Sequence, residues 1–207
     1  MKYSKSIVLI SLCGQVLFLA ITVLMHFLRP DNNPRVNFVS EYAVGNYGWI
    51  MTVGFFSMAI AQLLLITGLL QQLKASKKSI ITFSIWCIGG FLFSTFKTDI
   101  PGQQPTFSGL VLHGIAALIA FLSLGISMIT WGSVFKKNHE WADKASLSRV
   151  FGLVSILLFL IFLFSPVWLR GFTERLLIGW DITWLIIISN TLFQKTFSDS
   201  SYKYFNK

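Results

Sequence analysis

Residues 96–117 read Phe-Lys-Thr-Asp-Ile-Pro-Gly-Gln-Gln-Pro-Thr-Phe-Ser-Gly-Leu-Val-Leu-His-Gly-Ile-Ala-Ala. This is a polar hinge, punctuated by Pro and Gly, between two apolar runs, and it carries Lys97, Asp99 and His113. Apolar runs of about 18 residues or more on both sides of such a break read as a membrane helix hairpin. The hinge is then its rim, with an acid and an imidazole at the edge of a helical bundle.

Outward from the hinge, the rest of the chain repeats the pattern. Of 207 residues, 54% are hydrophobic and 12% charged, about half the charged share of a soluble domain. Six runs are long enough to span, over residues 7–28, 48–70, 79–96, 109–134, 150–169 and 172–193. Unpaired backbone groups are not tolerated in hydrocarbon, so runs of this length are helices, and the alternation of a membrane barrel is absent. The expected architecture is therefore all-α: a polytopic six-helix bundle forming one integral membrane domain over residues 1–207. The run at 150–169 carries no charge and is expected to face lipid most. Pro166 predicts an irregular last turn there.

The first run follows Lys2 and Lys5 as a signal peptide would, but it is too long and lacks a small-residue cleavage site, so it reads as an uncleaved span. The tail from residue 198 reads as short, polar and mobile. Cys13 and Cys87 lie inside apolar runs and read as buried small hydrophobes, not as a disulfide. The net charge of +9 does not point to nucleic acid, because the basic residues sit in short gaps between spans and form no patch.

Those gaps orient the chain. Lys2, Lys5, Lys74, Lys77, Lys78, Lys136, Lys137, Lys144, Arg149, Lys195, Lys203 and Lys207 fall on one side, and Arg29, Arg35, Lys97, Arg170 and Arg175 on the other. An excess of twelve over five puts both termini in the cytoplasm of a prokaryotic cell membrane. The acids Asp31, Glu41, Asp99 and Glu174 then fall outside, with Asp181 about two turns into the last span. Trp49, Trp168 and Trp180 are expected at the outer interface, and Trp131 and Trp141 at the inner one.

Chemistry-bearing residues gather on the outer side. On the fourth span Gly109, His113, Ala116, Ala120, Ser123, Ser127 and Thr130 recur at steps of four and three as a small or polar stripe. Leu112, Ile115, Ile119, Leu122, Ile126 and Ile129 form an aliphatic stripe beside it. Small residues mark close helix packing in membranes, so His113 should point inward, where it could bind, transfer a proton or staple helices. Asp99 is either a turn-former or, the reading favoured here, a carboxylate set against His113. Ser40-Glu41-Tyr42, just before the second span, suits a helix cap or a polar pair facing His113. Glu174, Ile178 and Asp181 share one helix face. Asp181 should pair or line a wet cavity, with Arg170 or Arg175 as partner. His26 lies near the end of the first span.

The segments Ser40-Glu41-Tyr42-Ala43-Val44-Gly45, Phe96-Lys97-Thr98-Asp99 with Gly102 and His113-Gly114, and Gly171-Phe172-Thr173-Glu174-Arg175 followed by Trp184 resemble an uncharacterised prokaryotic membrane family, domain of unknown function 998. The likeness spans most of the chain. It implies a six-helix protein without an assigned reaction and supports Ser40, Glu41, Tyr42, Asp99, His113, Glu174 and Arg175 as site residues. Lys97 stands where the family pattern has Pro.

The favoured expectation is a polar pocket at the outer face that holds a lipid headgroup or small polar ligand, lined by Ser40, Glu41, Tyr42, Asp99, His113, Glu174, Arg175 and Asp181. One alternative is a metal-dependent hydrolase with His113, Asp99 and Glu41 as catalytic candidates. His26 and His113 would be its metal-ligand candidates, but no His-x-x-x-His or Glu-x-x-His spacing occurs, so no metal and no cofactor is assigned and the balance is against an enzyme. A second alternative is a small proton-coupled transporter. Membrane lipids are the expected partners; nothing indicates a homo-oligomer.

Overall fold

The computed structural model describes residues 5–100 and 102–205, with side chains as far as Thr196. Lys2, Pro101 and Lys207 lie outside it, as do the side chains of Asp199, Lys203 and the rest of the expected polar tail. Six helices are long and apolar enough to cross a membrane, and there is no strand among the described residues. They are α1 (Lys5–Leu28), α2 (Gly48–Gln72), α3 (Lys77–Thr95), α4 (Ala116–Lys136), α5 (Asp143–Leu163) and α6 (Arg170–Phe205). Short 3-10 helices span Val39–Ala43 and His139–Trp141, and the π-helical segment Ser108–Ile115 leads directly into α4.

Consecutive helices pack on one another and α6 also packs on α1, so the six close into a ring. Segments 29–47, 96–107 and 164–169 lie at one end of the bundle, the loop end, and α1 starts at the opposite one. Ile10, Val23, Ile60, Ile88, Leu153 and Leu157 are exposed on the outside of the ring. In water they would form an apolar surface far larger than a soluble monomer carries; in lipid this is an ordinary helix exterior. The protein is therefore a multi-pass membrane protein. Of the six spans, α5 is the least buried.

Glycine brings the helices close where packing alone must hold them. A methyl group on Gly89 of α3 would overlap the Ala120 side chain of α4. On Gly152 of α5 it would lie 2.6 Å from the Gly125 carbonyl oxygen of α4. The two stripes on the fourth span follow the same logic. Gly109, His113, Ala120, Ser123 and Ser127 are buried, whereas Ile115, Ile119, Leu122 and Ile126 are exposed.

The structure departs from the expected boundaries chiefly at α5, which starts at Asp143 and ends at Leu163 instead of covering 150–169. The polar start continues as helix because Ala145 and Ser148 are buried. The end comes early because Pro166 disfavours helical backbone in the residue before it, and 164–169 runs as turns into α6. Trp131 and Trp141 are not interface anchors: both are fully buried, and Trp141 stacks on Phe135 at 4.9 Å. Trp49 and Trp168 are exposed at the loop end. Cys13 is exposed, and Cys87 alone of the two cysteines is buried.

Candidate functional site

Segment 29–47 is folded over the loop end. Arg29 closes its base, donating to both Asp31 carboxylate oxygens and to the Val44 and Asn46 carbonyls. The bond from Arg29 holds the exposed Asp31 carboxyl below the usual carboxylate range. Glu41 sits in the 3-10 helix and accepts from the Phe38 amide at 3.0 Å and from Asn37 Nδ2 at 2.6 Å. Ser40 and Glu41 thus do not cap α2, which starts after Tyr47 in left-handed backbone at φ 60°. The acid's nearest amide is that of its own 3-10 turn.

Arg175 of α6 binds this segment from beneath. Its Nε donates to His26 Nε2 at 3.1 Å, and its Nη1 donates to the carbonyls of Pro34, Asn37 and Gly171 at 2.7–3.0 Å. Since Nε2 accepts, the ring proton of His26 is on Nδ1, which donates to the Thr22 carbonyl at 2.7 Å. Tyr42, fully buried, packs against both the His26 ring and the Arg175 guanidinium. Glu174 accepts from the Val39 amide at 2.7 Å. Gly171 is required here, because a methyl on it would overlap the Asn37 carbonyl. The chain therefore brings Glu41, Tyr42, Glu174, Arg175 and His26 together, mainly to seat segment 29–47 on α1 and α6.

Asp99 and His113 do not pair as expected. The Asp99 carboxylate accepts from the Thr106 hydroxyl at 2.8 Å and from its amide at 3.2 Å, and Thr106 Oγ1 in turn accepts from the Gly109 amide. Asp99 is thus the turn-former of the hinge, clamping the start of the π-helical segment. A local amide and hydroxyl seven residues away satisfy the carboxylate before the imidazole can. His113 donates from Nδ1 to the Phe96 carbonyl at 2.7 Å, leaving Nε2 as its remaining hydrogen-bonding atom. A side chain on Gly109 would collide with the Asp99 carboxylate. Gly109→Ala is therefore expected to lose about 1–3 kcal/mol of stability, read as a lower unfolding midpoint in detergent, with Asp99→Ala losing a similar amount through the open cap.

Beside this clamp lies a cavity of about 440 Å³, within the size range of small-molecule sites. Its polar lining includes Ser40, His113, Glu174 and Arg170, with Ser40, His113 and Glu174 all buried. Its apolar wall includes Phe55, Phe93, Phe121 and Phe162. Leu110, Ile115, Leu163 and Val167 line it too, and these are exposed on the outside of the ring. The cavity thus communicates with the surface that lipid covers. Arg170 donates from Nε to the Val36 carbonyl, stacks over Phe38 and holds Nη2 4.0 Å from Glu41.

Of the residues expected to share one pocket, Ser40, His113 and Glu174 line the cavity. Glu41, Tyr42 and Arg175 are anchors behind it, and Asp99 is a cap at its rim. Asp181 is deeper and pairs with neither Arg170 nor Arg175, whose bonds run to segment 29–47. Among the described residues no three His, Cys, Asp or Glu side chains converge as a metal site would need. Arg170, named from the sequence as a partner for Asp181 or an anionic headgroup, lines the cavity instead of meeting Asp181, and the Phe wall beside it was not foreseen. The spacing of His113, Ala117 and Phe121 by fours was the available signal.

The family described as protein of unknown function, DUF998, matches residues 12–190. The match covers well over half of the chain, which therefore belongs to that family. No curated protein and no solved structure matches it.

Proposed function

We propose that this DUF998 member binds an amphiphilic membrane component, a lipid or lipid-like molecule, in the cavity between the π-helical segment, the 164–169 turn and α6. The headgroup lies against Arg170, His113, Ser40 and Glu174, and the apolar part lies along the Phe wall. The supporting observation is the cavity's two-sided lining: converging buried polar groups on one wall, and on the other aromatic and aliphatic side chains that continue into the lipid-facing surface. A ligand from water would meet no such apolar mouth. The charge excess of twelve over five further supports a loop end that faces away from the cytoplasm, so the headgroup is that of an outer-leaflet molecule.

Arg170 is the group expected to discriminate. It is the cation of the lining, and its guanidinium can donate in pairs to a phosphate or carboxylate. Arg170→Gln keeps much of the length and loses the charge. A charge-assisted hydrogen bond contributes about 1.5–3 kcal/mol, so affinity for an anionic phospholipid probe in nanodiscs should fall roughly 10- to 100-fold. A neutral lipid of the same chain length should bind the variant and the parent alike. Equal binding of the anionic probe by both would remove Arg170 from the site.

A further inference from the structure

Asp181 continues the face of α6 that lines the cavity, at the i, i+4, i+7 spacing of Glu174, Ile178 and Asp181. Ile178 is the deeper of the two that line the cavity, and Asp181 lies one turn further in. At eleven residues from the start of α6 it is about 16 Å into the bundle, near the middle of an apolar layer about 30 Å thick. It is 1% exposed, and neither carboxyl oxygen has a hydrogen-bond partner. The polar side chain that acts on it is Ser155 of α5, itself fully buried with a hydroxyl that completes no bond of good geometry.

The charged and titratable groups on the packed elements are accounted for elsewhere. On α6, Arg170, Glu174 and Arg175 bond segment 29–47, and Lys195 lies over Trp141. On α5, Lys144 pairs with Asp143, and Arg149 reaches Ser133. On α1, His26 is bonded to Arg175, Cys13 is exposed, and Lys5 is at the opposite end from His26. In the 3-10 helix Glu41 is bonded to Asn37 and Phe38, and Tyr42 lies against His26. No charged residue occurs in α2. A carboxyl at this depth without a protein cation needs its charge compensated, since an isolated ionised acid in an apolar interior is very unfavourable.

We infer that Asp181 and Ser155 form an interior site for one positive charge taken from outside the chain, a proton or a small alkali cation. The site is distinct from the cavity and does not depend on what the cavity holds. It supplies the carboxyl and the hydroxyl; the bound species supplies the charge that no residue does.

The test is the unfolding midpoint of the full chain in nanodiscs, with Na+ exchanged for choline at constant ionic strength and, separately, with pH varied in choline alone. A sodium site gives a saturable rise, on the order of 5 °C at about 100 times the half-saturating concentration. A proton site gives a midpoint that falls as pH rises, because the folded state binds the proton that the unfolded state releases. In either case Asp181→Asn removes the dependence. Identical responses of parent and Asp181→Asn to both variables overturn the inference. Should Asp181→Asn not fold, Ser155→Ala decides: a shifted half-saturation point in either series supports the site, and unchanged curves in both overturn it.

Discussion

Replacing Arg175 by Ala is expected to lower folding stability by about 2–4 kcal/mol, because it removes a half-buried guanidinium whose hydrogen bonds, being charged, contribute about 1.5–3 kcal/mol each before solvent screening. Four acceptors lose their donor at once: His26 Nε2 and the carbonyls of Pro34, Asn37 and Gly171. Two of those carbonyls belong to segment 29–47, so the loss should be seen locally as well as globally. Limited proteolysis should cut within 29–47 in the variant under conditions that leave the parent intact. Arg175→Lys should recover little, because an ammonium on a flexible stem cannot reproduce a planar fork that bonds an imidazole and three carbonyls together. Full rescue by Lys would mean that charge alone, not the fork, seats the segment.

The second large effect is expected at the α4–α5 contact. Gly152 approaches the Gly125 carbonyl and Ile129 so closely that a methyl would lie 2.6 Å from each. The Gly125 neighbour is backbone, so it cannot yield by changing rotamer. Gly152→Ala should therefore destabilise by about 1 kcal/mol and Gly152→Leu by about 3 kcal/mol or somewhat more, as overpacked cores do. The measurement is the series of unfolding midpoints in one detergent. In a bilayer the helices have no hydrophobic drive toward one another, so this loss of packing has little to offset it. A flat Gly, Ala, Leu series would show that α4 and α5 separate at no cost.

These two residues also show which parts of the protein were legible in its sequence. The six spans were, because hydrocarbon leaves the backbone almost no choice. The inward direction of His113 was legible too, since a small-residue stripe and an aliphatic stripe divide one helix face from the other. The partners of Arg175 were not. They lie as far as 149 residues away in sequence, and three of the four are backbone carbonyls that carry no side-chain signature. Asp99 misled for the converse reason. Its spacing from His113 across a hinge was compatible with a pair, but Thr106 competes for the same carboxylate at shorter range. The π-helical turn at Ser108–Ile115 left no readable mark, because its residues keep an ordinary helical alternation of small and aliphatic types.

The candidate site was partly legible. Ser40, His113 and Glu174 were named from polar residues at one end of the bundle, and all three line the cavity. Its aromatic wall was hidden among 20 phenylalanines, most of which an apolar span would carry in any case. Only the fold assembles Phe55, Phe93, Phe121 and Phe162 from four different helices beside Arg170. Pockets with a few placed polar groups in a mostly apolar lining are the usual form of small-molecule sites. Here π-helical backbone, which is found often at functional positions, carries His113 into the wall.

Photolabelling from within the bilayer tests the central claim most directly. The protein is reconstituted in nanodiscs containing a phospholipid with a diazirine on its acyl chain, irradiated, digested and mapped by mass spectrometry. Binding in the cavity predicts label concentrated on residues 110–121 and 162–167, reduced by excess unlabelled anionic lipid and by Arg170→Gln. Label spread evenly over the exposed faces of all six helices, unchanged by either treatment, would contradict it.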